Sequence, residues 1–162
     1  MPRKYTMVHD SMLIRWLMKT YPFGTWKLNA RLGKVKKKVL GSVPKQYRGL
    51  TSRWKLIADA VVISDGKVAI IECLVRPNEW WKIQQLKSYE KAFKVTEEYR
   101  RYWNYPIEKI LLTTQIDPFM ESEAIKEGIR VVKYTTPDIE HYKGTLRKRQ
   151  IAPQGGALEI LP

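Results

Sequence analysis

The sequence predicts an α/β domain in which a mixed central β-sheet is flanked by helices on both sides. Two short apolar runs in the middle of the chain are separated by an Asp-Gly turn, which is the pattern of an antiparallel hairpin. Segments with apolar residues three or four positions apart alternate with later buried-strand runs, as expected when helices connect the strands of one sheet. The 162 residues, 44% of them apolar, suffice for one domain with its own core.

The first third of the chain contributes a helix, a strand and a basic loop. Residues 7–20 carry apolar side chains at helical spacing, and the Tyr-Pro-Phe-Gly sequence that follows ends the predicted helix. Residues 26–32 alternate apolar and polar side chains, which predicts a half-buried strand. Residues 34–49 are rich in lysine and interrupted by glycine and proline, so we expect a loop there.

The hairpin and a long helix form the middle of the chain. Residues 54–63 and 68–75 are the predicted hairpin strands, and the Ser-Asp-Gly-Lys sequence at 64–67 supplies the turn. Residues 79–102 predict one long helix with Asn78 as its N-cap. A crossover helix of this kind returns the chain to a strand parallel to the second hairpin strand.

The remaining elements repeat the alternation of strand and helix. Residues 107–113 predict a buried strand, and residues 118–127 predict a short helix that Asp117 caps and a proline begins. Residues 129–134 predict the last strand. The expected order is therefore α-β-β-β-α-β-α-β, in a single domain over residues 1–143.

Residues 144–162 are predicted to form an extended C-terminal tail. This segment contains three glycines, two prolines and the basic run Arg147-Lys148-Arg149. Two interpretations remain: the tail packs on assembly partners or on nucleic acid, or it is a disordered terminus. In the first case we expect an oligomer or larger assembly.

The charge distribution predicts a polyanionic partner. The chain carries a net charge of +14, and residues 1–58 hold fourteen Lys or Arg against the single acid Asp10. A one-sided positive field attracts nucleic acid, and DNA is the partner we expect. A solvated basic face without a partner is the alternative. The candidate phosphate contacts are Lys34, Lys36, Lys37, Lys38, Arg53 and Lys55.

Several other classes of protein are disfavoured. No apolar run approaches the ~20 residues of a membrane span, and no signal peptide is evident at the N-terminus. The lone cysteine, Cys73, excludes an intrachain disulfide, and one cysteine with two histidines makes a zinc site improbable. The sequence contains neither a glycine-rich phosphate loop nor a Ser/His/Asp arrangement.

Two carboxylates inside the predicted hairpin are candidate catalytic and metal-binding groups. Asp59 lies within the first strand and Glu72 near the end of the second. Burying both without compensation is costly, and hairpin pairing brings them onto one region of the sheet. They are suited to a hard cation such as Mg²⁺. Alternatively, one acid pairs with a core Lys or Arg, or points to solvent.

This order of elements resembles the PD-(D/E)XK nuclease superfamily, which includes Holliday-junction resolvases and RecB-type nuclease domains. The match consists of Ala58-Asp59, twelve intervening residues, and Glu72-Cys73-Leu74; Gln85 and Tyr89 match the Gln-x-x-x-Tyr signature of RecB-type domains. The resemblance implies a restriction-endonuclease-like core over roughly residues 7–134. It implies that Asp59 and Glu72 bind metal and that Gln85 and Tyr89 line the site, although Tyr89 could instead pack in the core. An acid of the first helix often completes the metal site in this superfamily. Asp10 is the available acid, and His9 could replace it.

One departure from the motif leaves the activity open. Leu74 occupies the position of the motif lysine, and a leucine cannot stabilise developing negative charge. An ammonium could come from elsewhere, with Lys82 as the best candidate and Lys55 and Arg76 as others. Otherwise the site is degenerate.

Three functions follow as hypotheses. The first is a Mg²⁺-dependent DNA endonuclease or junction resolvase. The second is a non-catalytic structural protein of a tailed phage, a head-completion or neck component near packaged DNA. The third, suggested by charge alone, is an RNA-binding or ribosome-associated protein. The expected location is accordingly the cytoplasm of a host cell or a virion. The pair Trp80-Trp81 could stack on bases, or be partly buried in the core.

Overall fold

The structure is a computed structural model, which describes residues 4–35, 37–48, 55–76 and 79–151, with only the backbone given at 4–7 and 146–151. The strands are β1 (Trp26–Leu32), β2 (Leu56–Ser64), β3 (Lys67–Leu74), β4 (Ile107–Thr113) and β5 (Ile129–Lys133). The helices are α1 (Lys4–Thr20), α2 (Lys37–Ser42), α3 (Trp81–Phe93), α4 (Pro118–Lys126) and α5 (Pro137–Ile151). A 3₁₀ helix, Glu97–Tyr102, lies between α3 and β4.

The five strands form one mixed sheet in the order β1-β2-β3-β4-β5. Strands β1, β2 and β3 pair antiparallel, whereas β3, β4 and β5 pair parallel. The predicted turn joins β2 to β3, with positive φ angles of 52° at Asp65 and 72° at Gly66. The predicted α/β class, the hairpin and the parallel crossover are therefore confirmed.

Helices cover both faces of the sheet. On one face α1 and α5 pack on the sheet through Met12, Leu17 and Ile139. On the other face α3 and α4 cover it through Leu86, Phe93, Met120 and other apolar residues. This double layer buries β3 almost completely, which explains why its sequence is apolar on both faces.

The predicted long helix over residues 79–102 is wrong in its second half. The α-helix ends at Phe93, and Thr96 explains the break: its hydroxyl donates to the Ala92 carbonyl at 2.7 Å and accepts from the Gly33 amide at 2.8 Å. A buried threonine thus ties the chain to the end of β1 and terminates the helix. Asn78, the predicted N-cap, lies outside the described residues.

Two helices were not predicted. Within the expected basic loop, residues 37–42 form α2. The first eight residues of the expected extended tail, 144–151, are helical and continue α5, which begins at Pro137. Thr136 lies just before this proline, and its carbonyl accepts the Glu140 amide at 3.0 Å. Residues 152–162 lie outside the described residues. No helix in the described ranges is long and apolar enough to span a membrane.

The hairpin turn yields a test of the fold. Replacing Gly66, at φ +72°, by alanine forces a side chain into the left-handed region and should cost about 1 kcal/mol of unfolding free energy. The matched control, Gly41→Ala, lies in α2 with no heavy atom within 4 Å of the new Cβ and should stabilise by about 0.5–1 kcal/mol. Urea unfolding of both variants measures the difference, and equal destabilisation would contradict this turn geometry.

Candidate active site

Strands β2 and β3 separate at the two acidic residues. Their pairing runs from the turn to Ala60 opposite Ile71 and stops there, so Asp59 and Glu72 occupy the next position along the two strands. Beyond this point the Cys73 amide donates to Asp59 Oδ2 at 2.7 Å, in place of a backbone partner. The Asp59 carboxylate therefore satisfies a backbone group that the diverging strands would otherwise leave unbonded.

The neighbouring strand is irregular at the same position. Strands β1 and β2 pair on either side of Asn29 and Asp59 but not at these two residues, and Asn29 has φ +49°. At the same position β2 changes the helical layer that its side chains contact: Ala60 packs with the α1 side and Ala58 with the α3 side. Asp59 lies at this change of face. Its side chain, 16% exposed, stays accessible within the sheet.

Helix α1 contributes His9, which lies between two acids. Its Nε2 is 3.0 Å from Asp59 Oδ2, and its Nδ1 is 3.0 Å from Asp10 Oδ1. Burial alone lowers the pKa of the imidazole, but the hydrogen bond and charge of Asp59, supported by Asp10, raise it to about 9. Burial alone raises the pKa of Asp59, yet His9 and the Cys73 amide hold it below its usual range. The imidazolium and carboxylate thus stabilise each other near neutral pH.

Helix α3 contributes Lys82, whose Nζ is 2.6 Å from Glu72 Oε1. The Glu72 side chain is only 4% exposed, and its other oxygen, Oε2, has no hydrogen-bond partner among the described residues. Burial and the charge of Asp59 raise the pKa of Glu72 to about 7, although Lys82 acts in the opposite direction. Burial alone lowers the pKa of Lys82, but Glu72 and Asp59 raise it above its usual range, so the ammonium stays charged.

The structure separates the roles of Gln85 and Tyr89, which were both expected to line the site. The Tyr89 hydroxyl donates to the Ile57 carbonyl at 2.7 Å, two residues before Asp59, and so anchors the strand that carries this acid. Burial and the charges of Glu72 and Asp59 raise the pKa of Tyr89, which stays protonated. Gln85 lies one turn earlier on α3, with a buried Oε1 that has no partner among the described residues.

Leu74 does not reach the cleft. It is fully buried and belongs to the apolar cluster that α3 covers, together with Ile83 and Leu86. Of the three alternative cations considered from the sequence, Lys82 contacts Glu72 directly. Arg76 lines the same cleft, whereas Lys55 lines a different groove. An ammonium is therefore present at the carboxylates without the motif lysine.

An open cleft of about 540 Å³ lies above these groups. Its lining includes His9, Asp10, Asn29, Arg76, Glu79 and Lys82. Of these residues, His9 contacts Asp59 and Lys82 contacts Glu72, and the Glu72 side chain is the more enclosed of the two acids. The cleft therefore presents the cations His9, Arg76 and Lys82 together with the acids Asp10 and Glu79, while Glu72 lies deeper.

The donor atoms fit a hard divalent cation such as Mg²⁺. Asp59 and Glu72 supply carboxylate oxygens, and the unpartnered Oε2 of Glu72 is a free acceptor within the described structure. Among the described residues, donor atoms of His9, Asp59 and Cys73 also lie within 4.8 Å of one another. Burial and both carboxylates raise the pKa of the Cys73 thiol well above its usual range, which disfavours its use as a thiolate ligand. Asp10 contacts His9, which stands between it and Asp59.

The predicted phosphate-binding lysines are only partly brought together. Lys34 and Lys55 line one groove of about 440 Å³, and Lys91 of α3, not foreseen from the sequence, lines it as well. Lys37 and Lys38 are exposed at the start of α2. Lys36 and Arg53 lie outside the described residues. Because Lys55 is four residues before Asp59, this groove lies roughly 13 Å from the carboxylates along the strand.

Comparison with known proteins shows structural similarity alone. No protein-family model and no curated protein matches the chain. Among solved structures, it is similar to EndoMS in a complex with double-stranded DNA (16% identity, TM-score 0.47, 80% of this chain and 46% of that one). It is also similar to a repair endonuclease from Pyrococcus abyssi (16%, 0.47, 79% and 47%). A third similar structure is protein VC1899 from Vibrio cholerae (14%, 0.48, 90% and 32%).

The chain thus spans less than half of each of these three proteins. At TM-scores below 0.5 and such low identity, these likenesses assign neither a family nor an activity to the chain. The chemistry of the cleft has to be argued from its own residues.

The charge state of His9 predicts how stability depends on pH. Its pKa rises from 6.5 to about 9 on folding, so its stabilising effect is fully present below pH 6.5 and is lost as pH rises through 9. In a chelator, the stability difference between the wild type and His9→Asn should shrink over this window by on the order of 2 kcal/mol. Urea unfolding at pH 6, 7.5 and 9 measures it. A difference that is constant with pH would refute the pairing with Asp59.

Proposed function

We propose that this protein is a metal-dependent DNA endonuclease with a PD-(D/E)XK-type site, in which Lys82 replaces the motif lysine. The observation that supports this proposal most strongly is the 2.6 Å contact between Lys82 Nζ and Glu72 Oε1 beside Asp59. The ammonium reaches the carboxylates from α3, although the motif position carries the buried Leu74. His9 and Lys82, which contact the two carboxylates, thus both line one open cleft.

Asp59 and Glu72 would hold a divalent cation. When bound, Mg²⁺ supplies a water of lowered pKa and neutralises charge on the phosphate. His9 and Lys82 balance the two carboxylates in the absence of this ion, which lowers the cost of keeping both acids partly buried.

The ammonium of Lys82 supplies what a leucine at position 74 cannot. It carries three N–H donors, and only one contact, to Glu72, is made within the described structure. Lys82 lines the cleft, so its remaining donors are available to a phosphate oxygen on which negative charge develops during hydrolysis. Lys82 thereby both fixes the orientation of Glu72 and stabilises the reacting phosphate.

Substitution of the carboxylates tests the proposal. Asp59→Asn and Glu72→Gln should each lower Mg²⁺- or Mn²⁺-dependent cleavage of linear, branched and single-stranded DNA by at least about 100-fold. Lys82→Met should lower it by about 10²–10³-fold, whereas Lys27→Met, which removes an exposed lysine of β1 paired with Glu98, serves as the control. Adding Leu74→Lys to Lys82→Met moves the ammonium to the motif position and should restore part of the activity.

The outcomes separate the hypotheses. Full activity in Asp59→Asn would attribute cleavage to a contaminant, and circular dichroism shows whether each variant is folded. If the wild-type protein binds DNA yet cuts none of the three substrates with either metal, the nuclease proposal is overturned. That result would favour the alternative of a structural phage protein near packaged DNA. Such a role does not require an ammonium beside Glu72.

DNA binding is proposed to use the basic groove beside the cleft. Lys34, Lys55 and Lys91 line it, and phosphate contacts of this kind give affinity without sequence readout. Lys55 precedes Asp59 by four residues, which places the groove roughly 13 Å from this acid. One DNA strand can therefore contact both the groove and the cleft, since successive phosphates are a few ångströms apart.

The triple variant Lys34→Gln, Lys55→Gln and Lys91→Gln tests this groove. The dependence of log K on log salt should become less steep by about 2–3, because up to three counterion-releasing contacts are lost. Lys67→Gln is the control, since this exposed lysine lies at the hairpin turn, at the opposite end of β2 and β3. Fluorescence anisotropy with a labelled oligonucleotide measures both, and an unchanged slope in the triple variant would exclude the groove.

A further inference from the structure

An aromatic recess lies beside the cleft, between the beginning of α3 and α4. Trp80, Trp81 and Phe119 are 40%, 56% and 66% exposed, and the rings of Trp80 and Phe119 lie 5.6 Å apart between centroids. With Ile83 and Gln84 they line a recess of about 390 Å³, within the range of small-ligand sites. We call this feature the aromatic shelf. Three large exposed rings grouped in this way mark a binding surface.

The aromatic shelf and the cleft are separated by one turn of helix. Glu79 and Lys82 line the cleft, whereas Trp80 and Trp81, between them in sequence, line the shelf. The first turn of α3 is therefore a wall shared by the two recesses. A ligand with a charged part and a flat apolar part, joined by a short link, matches this pair of recesses.

The charges around the aromatic shelf favour a neutral group over a phosphate. Two acids, Glu123 and Glu127, line its rim, and each pairs with a lysine, Lys126 at 2.7 Å and Lys87 at 2.8 Å. Because each acid is balanced by its lysine, the rim presents no net positive charge that would attract a phosphate. A nucleobase, which is flat and uncharged, stacks on aromatic rings in a sequence-tolerant manner.

We propose that the aromatic shelf binds one unpaired base next to the phosphate held in the cleft. The faces of bases within a continuous duplex are covered by their neighbours, so only an unpaired or terminal nucleotide can stack there. The substrate class is then DNA with unpaired nucleotides, such as single strands, flaps or frayed ends. This inference rests on the proposed function for the cleft, because it assumes that DNA is the ligand there.

Binding measured without cleavage tests the aromatic shelf. In a chelator, Trp81→Ala with Phe119→Ala should weaken binding of a single-stranded oligonucleotide by about 5- to 150-fold, while affinity for a blunt duplex changes less than about 2-fold. Trp81→Phe should retain most of the affinity. Phe23→Ala removes a ring that is 92% exposed near the start of β1 and should have no effect.

Fluorescence anisotropy supplies the affinities, and an abasic site moved along the oligonucleotide should reproduce the loss at one position. Unchanged single-strand affinity in the double variant, or equal losses for single strand and duplex, would overturn the shelf proposal. Failure of the nuclease proposal is distinguishable, because it concerns metal-dependent cleavage in a separate assay. Normal stacking without cleavage would reject only the nuclease.

Discussion

The hydrogen bond from the Cys73 amide to the Asp59 carboxylate holds the site together. At this point β2 and β3 stop pairing, and a side chain replaces the missing backbone acceptor. The bond fixes Asp59 against the strand that carries Glu72, so the two acids stay close although their strands diverge. Because the Cys73 amide keeps a hydrogen-bond acceptor, the separation of the two strands costs little free energy. The separation also provides space for the cleft.

Keeping both acids at this opening requires the two helical layers together. Helix α1 supplies His9 to Asp59, and α3 supplies Lys82 to Glu72, from opposite faces of the sheet. The pKa values of His9 and Lys82 are raised and that of Asp59 is lowered because these charged groups stabilise one another. Glu72 is the exception, because burial beside a second carboxylate raises its pKa despite the nearby ammonium.

Those parts of the fold that depend on local residue pattern and turn chemistry could be predicted from the sequence. The Asp-Gly turn sets the pairing of β2 and β3, and counting back from it brings Asp59 opposite Glu72. The end of α3 at Phe93 could not be predicted, because it depends on Thr96 bonding to Gly33, sixty-three positions away. Likewise, the positive φ of Asn29 and the contact of His9 with Asp59 arise from packing between elements distant in sequence. Periodicity within one segment contains no information on such contacts.

Under the proposed function, Lys82 of α3 supplies the cation that position 74, a leucine, does not supply. Position 74 lies in the apolar layer under α3, where an unpaired ammonium is costly and a leucine packs well. Lys82 is eight residues later, yet its Nζ contacts Glu72 because α3 packs against β3 and its first turn lies beside Glu72. The electrostatic requirement is a cation beside the carboxylates, and a flexible four-carbon side chain on a neighbouring helix satisfies it. Trp80 and Trp81 immediately precede Lys82, so adjacent residues of the chain line the aromatic shelf and the cleft.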